Sequence, residues 1–440
     1  MSGLAERNGG RAGLVALTAI LLLGLGLRVG EAWDGRAPVF DAAAYATIAA
    51  NLDHGEGFTL DREATQPASN YSPGLPLLAA GAHEVTGGVH ERTARLLLAL
   101  LGSLAVLFAY LIGRRLSGPP AGLIGASAIA VYPALLEYQG MLMGEPLAAT
   151  LLSGAVLAML WASDPGPGGP ARGPSRLRWL APGALLGGLI LVRPEYVVVV
   201  LLVSFVCLLA KWRGGWRQAA LASAVLLLGA AMVVAPWTIR NAIALERFVP
   251  VSTGGGQVLF AGTYLPSDGD PEQVGAEVVE RHPELFGPDA VRRLRLEQIL
   301  ARLAAQRYPG MDTDRALSRM GKQQLWDDIS EEPVEYAGFV ATKIGRIWSH
   351  GPRRVMHEPG WELLHWLLVA FGLLGLVALA RQRRWEALLL ATIFVSITAI
   401  SALLVASPRR ILVTMPLVAA LAGVGATWLA STLRSRRLSS

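Results

Sequence analysis

Asp41 has the strongest claim to chemistry in this chain. It lies in Val39-Phe-Asp41-Ala-Ala-Ala-Tyr45, just after the first apolar run. A carboxylate at the edge of a membrane helix is costly to bury and marks a functional site unless it is a solvated loop residue or a helix cap. Tyr45 follows one helical turn later and can share its face. A second carboxylate, Glu145, opens Glu145-Pro146, a pair that also suits a plain helix start, where the acid complements the helix dipole. Three cationic sites accompany them. Arg193 stands in Val192-Arg193-Pro194-Glu195 between two apolar runs, where it either anchors the interface or meets a ligand. Arg240 and Asn241 end Pro236-Trp-Thr-Ile-Arg240-Asn241, ahead of Val249-Pro-Val-Ser-Thr253 and the glycines Gly254 to Gly256. Those glycines either let backbone approach a phosphate or form only a turn. Arg409 and Arg410 lie near the end of the chain. Arginine forks suit a phosphate, and a carboxylate suits activation of an acceptor hydroxyl or coordination of a divalent metal.

The elements that must position these residues are membrane helices. The chain is 53% hydrophobic and only 16% charged, with a mean hydropathy of +0.44, which excludes an ordinary soluble protein. Ten spans are predicted, at about 12–29, 92–113, 120–138, 145–163, 179–192, 196–210, 218–236, 362–380, 386–406 and 411–431. The first reads as a retained helix, because Glu-Ala-Trp-Asp follows it where a cleavage site would be needed. The segment from Pro73 to Gly87 carries His83 and Glu84 and is too short to span, so it reads as an interfacial helix in the first outer loop.

With that count the basic clusters fall on one side: Arg7 and Arg11, Arg114 and Arg115, Arg172 to Arg178, Lys211 to Arg217, Arg381 to Arg384, and Arg434 to Arg437. The positive-inside rule makes that side cytoplasmic. Asp41, Glu145, Arg193 and Arg240 then face outward, and Arg409-Arg410 is an outer basic pair that topology does not explain. The organisation that follows is a cytoplasmic N-terminus and first helix (1–29), an outer loop with juxtamembrane helices (30–91), helices two to seven (92–236), a large outer loop (237–361), and three last helices with a basic tail (362–440). Ala290 to Tyr308 reads as an amphipathic helix in the large loop, and Asp164 to Arg176 as a Gly- and Pro-rich linker. The net charge of +6 is spread in short clusters between apolar runs, a membrane pattern with no nucleic-acid partner implied. The single cysteine, Cys207, excludes an internal disulfide. No internal repeat is evident, which disfavours inverted-repeat transporters.

In this order the motifs resemble those of GT-C membrane glycosyltransferases, in particular family 39, the protein O-mannosyltransferases, and the aminoarabinose transferases. The likeness is carried by Phe40-Asp41-Ala-Ala-Ala-Tyr45-Ala-Thr-Ile48-Ala49, Gly55-Glu-Gly-Phe58, Ser72-Pro73-Gly74-Leu-Pro76, Gly144-Glu145-Pro146, Arg193-Pro194, Pro236-Trp237-x-x-Arg240-Asn241, Val249-Pro-Val-Ser-Thr253 and Arg409 with Pro416. The chain departs from aminoarabinose transferases in having Asn70-Tyr71-Ser72 where they carry a Glu-Lys pair, and in ending after the tenth predicted span.

The resemblance implies an all-α helix bundle with juxtamembrane helices in the first outer loop. It implies Asp41 as the catalytic aspartate, which deprotonates or orients the acceptor, and Glu145 as a second acidic position. Tyr45, Arg193, Arg240, Asn241, Arg409 and Arg410 are the candidate substrate-binding residues. A divalent cation, Mg or Mn, at Asp41 and Glu145 is an added expectation. The expected reaction is inverting transfer of a monosaccharide from a polyprenyl-phosphate donor to a glycan, lipid or protein acceptor, outside a bacterial inner membrane. A flippase for a lipid-linked sugar and a non-catalytic glycan-assembly subunit are the alternatives.

Overall fold

The computed structural model describes residues 2–60, 67–164, 176–211, 215–267, 273–287, 289–349 and 351–439. Most of the linker expected at 164–176 lies outside them. The described residues are helical throughout, without strands. In chain order the helices are α1 (Ser2–Trp33), α2 (Asp41–Asp53), α3 (Gly74–Thr86), α4 (Glu91–Ser117), α5 (Pro119–Ala130), α6 (Pro133–Gly140), α7 (Glu145–Ala162), α8 (Leu180–Val192), α9 (Tyr196–Lys211) and α10 (Trp216–Ala244). They continue with α11 (Gly255–Thr263), α12 (Val274–Arg281), α13 (Ala290–Arg293), α14 (Leu296–Arg307), α15 (Thr313–Glu331), α16 (Pro333–Ser349), α17 (Pro359–Arg381), α18 (Trp385–Leu403), α19 (Arg409–Leu412) and α20 (Met415–Ser439).

Among the described residues seven helices (α1, α4, α7, α10, α17, α18 and α20) are long and apolar enough to cross a bilayer, and α5 with α6 makes an eighth across a 47° bend. This is a multi-pass membrane protein, but the count falls short of the ten predicted. The difference lies in α8 and α9. At 13 and 16 residues they rise roughly 20 and 24 Å, against the 30 Å of a hydrocarbon core. Arg193 and Pro194 break what would otherwise be one long apolar run. The predicted amphipathic helix from Ala290 to Tyr308 is likewise interrupted, at Leu294 and Arg295, into α13 and α14.

The bend between α5 and α6 has a cause in the sequence. Pro133 donates no hydrogen bond and cannot sit against the carbonyl four residues back. That carbonyl, on Ile129, and its neighbour on Ala130 accept instead from the buried Arg28 of α1, at 3.0 and 3.2 Å. An arginine deep in an apolar helix is thereby satisfied, and the bend is fixed. Elsewhere the bundle closes through small residues, as membrane helices do. A Cβ on Gly375 of α17 would lie 2.1 Å from the Leu421 carbonyl of α20, so those backbones touch.

Arg384, at the start of α18, donates to the Leu116 carbonyl at the end of α4 (2.7 Å), and Arg115 pairs with Asp164. These basic residues therefore share one end of the bundle. At the opposite end α11 to α15 form a helical layer around Phe260, Val278, Ile299, Leu303 and Leu317, with α16 beside it. It docks on the end of α18: Lys343 of α16 donates to the Gly262 carbonyl (2.5 Å), and Gly262 lies directly against Leu404. That docking fixes the loop from Leu404 to Pro408, which delivers Arg409.

Candidate functional site

Four charged residues converge at the α2 end of the bundle, each delivered by a helix terminus. Asp41 is the first residue of α2 and Glu145 the first of α7. Arg193 is the C-cap of α8, and Arg409 opens α19. Arg193 Nη2 donates to Glu145 Oε1. Arg409 Nε donates to the same oxygen at 2.7 Å, while its Nη1 and Nη2 lie 3.2 and 3.3 Å from Asp41 Oδ2. The result is a continuous ladder, Arg193–Glu145–Arg409–Asp41, joining residues more than 360 positions apart in the chain.

The two carboxylates differ sharply in access. The Glu145 side chain is 0% exposed and the Asp41 side chain 44%. A fully buried carboxylate is tolerable only when paired, and two guanidiniums supply that pairing. Glu145 Oε2 has no hydrogen-bond partner among the described residues. Asp41 instead opens on a cavity of about 500 Å³ whose wall includes Phe40, Tyr138, Arg346, Arg353 and Arg409. Tyr138 lies under the guanidiniums of Arg409 and Arg353, at 5.7 and 5.9 Å from its ring centre, and Arg353 is held by Glu137 at 2.5 Å.

Of the other residues singled out in the sequence, Tyr45 belongs to this site. It lies on α2 edge-on to Tyr71, with ring centres 5.9 Å apart. Burial pushes its hydroxyl pKa up, and the charges acting on it come from Arg193, Asp41, Glu145 and Arg409. Arg410 is a neighbour of the cluster: its Nη1 donates to the Val405 carbonyl and its Nε lies 3.7 Å from Glu195 Oε1. Glu195 is also 3.8 Å from Arg193.

Arg240 and Asn241 are placed elsewhere. The Arg240 guanidinium lies over Trp237 and Phe58, at 4.8 and 5.5 Å, and donates to Asn241 Oδ1 at 3.0 Å. Asn241 Nδ2 donates to the carbonyls of Val249 and Val251, and Trp237 Nε1 also to Val251. This motif holds the Val249–Thr253 strap, and Gly254 turns it into α11 with a left-handed φ of +95°. Tyr138, Arg346 and Arg353 were not singled out from sequence. Arg353 and its partner Glu137 are 216 residues apart, and no local pattern links them.

A cation shared by Asp41 and Glu145 would have to sit where the Arg409 guanidinium now lies. No group of three or more His, Cys, Asp or Glu side chains converges among the described residues. As arranged, the two carboxylates are built around a guanidinium, and a metal would require Arg409 to swing out.

Residues 69–239 match the sequence model of the dolichyl-phosphate-mannose-protein mannosyltransferase family. That stretch is less than half of the chain and includes Glu145 and Arg193 but not Asp41 or Arg409. No curated protein matches the sequence. Among solved structures, the apo oligosaccharyltransferase of Archaeoglobus fulgidus aligns with a TM-score of 0.59 at 15% identity, over 97% of this chain and 51% of that one. The same archaeal enzyme, AglB, with an inhibitory peptide and a dolichol-phosphate aligns at 0.58 and 16%, over 97% and 51%. The chain therefore spans about half the length of the oligosaccharyltransferase it matches. ArnT from Cupriavidus metallidurans bound to undecaprenyl phosphate aligns at 0.42 and 18%, over 95% and 78%, a likeness too slight to carry an argument. The family matched and these neighbours are glycosyltransferases. The chain has the GT-C-type helix-bundle fold that its sequence resembles, and within it residues 69–239 match the dolichyl-phosphate-mannose-protein mannosyltransferase family.

Proposed function

We propose that the protein transfers a monosaccharide from a polyprenyl-phosphate donor to an acceptor hydroxyl or amine on the extracytoplasmic side of a bacterial inner membrane. The observation that carries this reading is the asymmetry of the ladder. Its one accessible carboxylate, Asp41, faces a cavity, and the guanidinium of Arg409 stands beside it, anchored on the buried Glu145. The dolichol-phosphate named with the archaeal structure is the lipid-phosphate part of such a donor. The sidedness rests on the basic clusters at the far end of the bundle.

In this reading Asp41 accepts the proton of the acceptor as its oxygen or nitrogen attacks the anomeric carbon. The bond from that carbon to the phosphate oxygen breaks from the opposite face, with inversion, and the electron pair leaves with the polyprenyl phosphate. Arg409 and Arg193 stabilise the charge gathering on the departing phosphate, and electrostatic help of that kind is often the largest single contribution to rate. Glu145 acts through them: it fixes the two guanidiniums and touches no reacting atom. An apolar groove of about 550 Å³ between α17 and α18, floored by Val418 and Leu421 of α20, suits the isoprenoid tail. Its upper wall includes Ile344 and Trp348 of α16, the helix whose Arg346 reaches the Asp41 cavity. Confining tail and acceptor together supplies rate by positioning. The charged ladder gathers at one end of the bundle, whereas a flippase would carry such groups near the midplane.

The test is transfer of radiolabel from a panel of polyprenyl-phosphate sugars to membrane acceptors, by wild type and Asp41→Asn at equal folded amounts. Transfer by wild type that the mutant loses supports the enzyme and its base. Transfer undiminished in the mutant removes Asp41 from the chemistry, and a wild type inactive across the panel argues for the lipid-binding, non-catalytic alternative.

A further inference from the structure

Four non-glycine residues among those described have positive φ: Phe40 (51°), Leu142 (53°), Glu246 (51°) and Arg383 (54°). Three of them have an ordinary reason. Leu142, Glu246 and Arg383 each follow the C-cap of a helix, at Met141, Leu245 and Gln382, the position where a chain routinely turns left-handed. Phe40 does not follow a helix. It precedes α2, and its ψ of −124° takes it out of the left-handed helical region altogether. Such a conformation is unfavourable on a residue with a Cβ and is often found at functional sites.

The turn that holds it is local: the Ala42 N–H donates to the Val39 carbonyl at 3.1 Å and the Ala44 N–H to the Phe40 carbonyl at 3.2 Å, which starts α2. The Phe40 side chain is 91% exposed, whereas the similarly strained Leu142 is buried in the core at 1%. Among the described residues Phe40 has no ring stacking and no cation over its face. Tyr138, the other aromatic of the same cavity, has its ring engaged by Arg409 and Arg353. Among the described residues Phe40 is thus the free aromatic surface in the cavity, next in sequence to Asp41. The hydrogen-bonded turn from Val39 to Ala42 places Phe40 there, beside Asp41.

We propose that Phe40 is a stacking platform for the pyranose ring of the donor. A pyranose has a polar rim of hydroxyls and an apolar face of C–H bonds whose partial positive charge matches the negative face of an aromatic ring. The cavity lining carries both kinds of group, the arginines and Asp41 together with the apolar Phe40, Val39, Met141 and Met143. Phe40 touches the sugar and not the reacting bond, so its role is in binding and orientation. The inference rests on the donor reading given above.

The test uses two short, soluble probes on the full chain in detergent: farnesyl phosphate and farnesyl phosphate mannoside. Wild type binds the mannoside more tightly than the bare phosphate, by about 3- to 10-fold, the range expected of an aromatic contact. Phe40→Trp keeps that preference. Phe40→Leu and Phe40→Gly reduce it to about one while leaving affinity for farnesyl phosphate unchanged. Phe40→Gly also relaxes the backbone, so its thermal stability equals or exceeds that of wild type. A preference in Phe40→Leu equal to wild type overturns the platform and leaves Phe40 an apolar anchor at the membrane surface. A wild type that binds both probes equally overturns the platform and leaves the lipid-phosphate reading standing. Failure to bind farnesyl phosphate at all overturns that reading, and the platform with it.

Discussion

Two arginine-bearing regions of this protein look alike in sequence and are built for different work. Around Arg193 and Arg409 the partners are carboxylates brought in from distant helices, and the ladder ends in an accessible acid on a cavity. Around Arg240 the partners are its own neighbours, the rings of Trp237 and Phe58 and the amide of Asn241, and the group secures a strap of backbone. Both regions combine an arginine, a proline and a helix end. What separates them is where the compensating charge comes from. An arginine paired across the fold with a buried acid is held in one orientation, ready to meet an incoming anion. An arginine laid over aromatic rings beside a hydrogen-bonded loop is scaffold.

Substitutions sharpen that contrast. After Asp41 itself, the largest expected effect is at Glu145. Glu145→Gln leaves Arg193 and Arg409 without their shared countercharge, and breaking a buried pair in this way costs about 3–5 kcal/mol. Thermal unfolding in detergent should show the loss, and an unchanged midpoint would mean the ladder is not a real constraint. Arg409→Ala should lower the transfer rate by about 10²–10³-fold, as removal of one stabilising donor does. Arg409→Lys should recover little of it, since an ammonium cannot span Glu145 and Asp41 as the planar fork does.

The other region should respond in stability and not in chemistry. Asn241→Ala leaves the Val249 carbonyl without its side-chain donor, Val251 keeping Trp237, at a cost of about 1–3 kcal/mol, with the rate per folded molecule kept. Arg240→Ala should be the mildest, losing about 0.5–1 kcal/mol of cation–π contact. A large rate loss in Arg240→Ala, with stability intact, would merge the two regions and overturn the contrast.

The parts of this site legible from sequence were those with a price visible in one dimension. Asp41, Glu145, Arg193 and Arg409 stand out because charge beside an apolar run demands a reason. The basic clusters at the other end gave the expected sidedness. Arg240 stood out by the same logic, and it took the geometry to show that its charge is met locally. Arg353 and Tyr138 left no trace, because their meaning depends on partners brought in by folding: Glu137 for Arg353, Arg409 for Tyr138. Of the ten spans expected, seven or eight meet the length and apolarity of a crossing helix among the described residues. α8 and α9 are apolar enough but too short, because Arg193 must stop between them to reach Glu145. The strain at Phe40 is a backbone property that no side-chain pattern encodes.

The most direct measurement is a side-by-side comparison of sugar transfer by Asp41→Asn and Arg240→Ala, each normalised to folded protein in the same membrane preparation. With the chemistry in the ladder, Asp41→Asn falls by about 10²–10⁴-fold and Arg240→Ala stays within about twofold of wild type, a loss no larger than its contact energy. Equal losses in the two variants, or a greater loss in Arg240→Ala, would contradict the account and move the site to the strap.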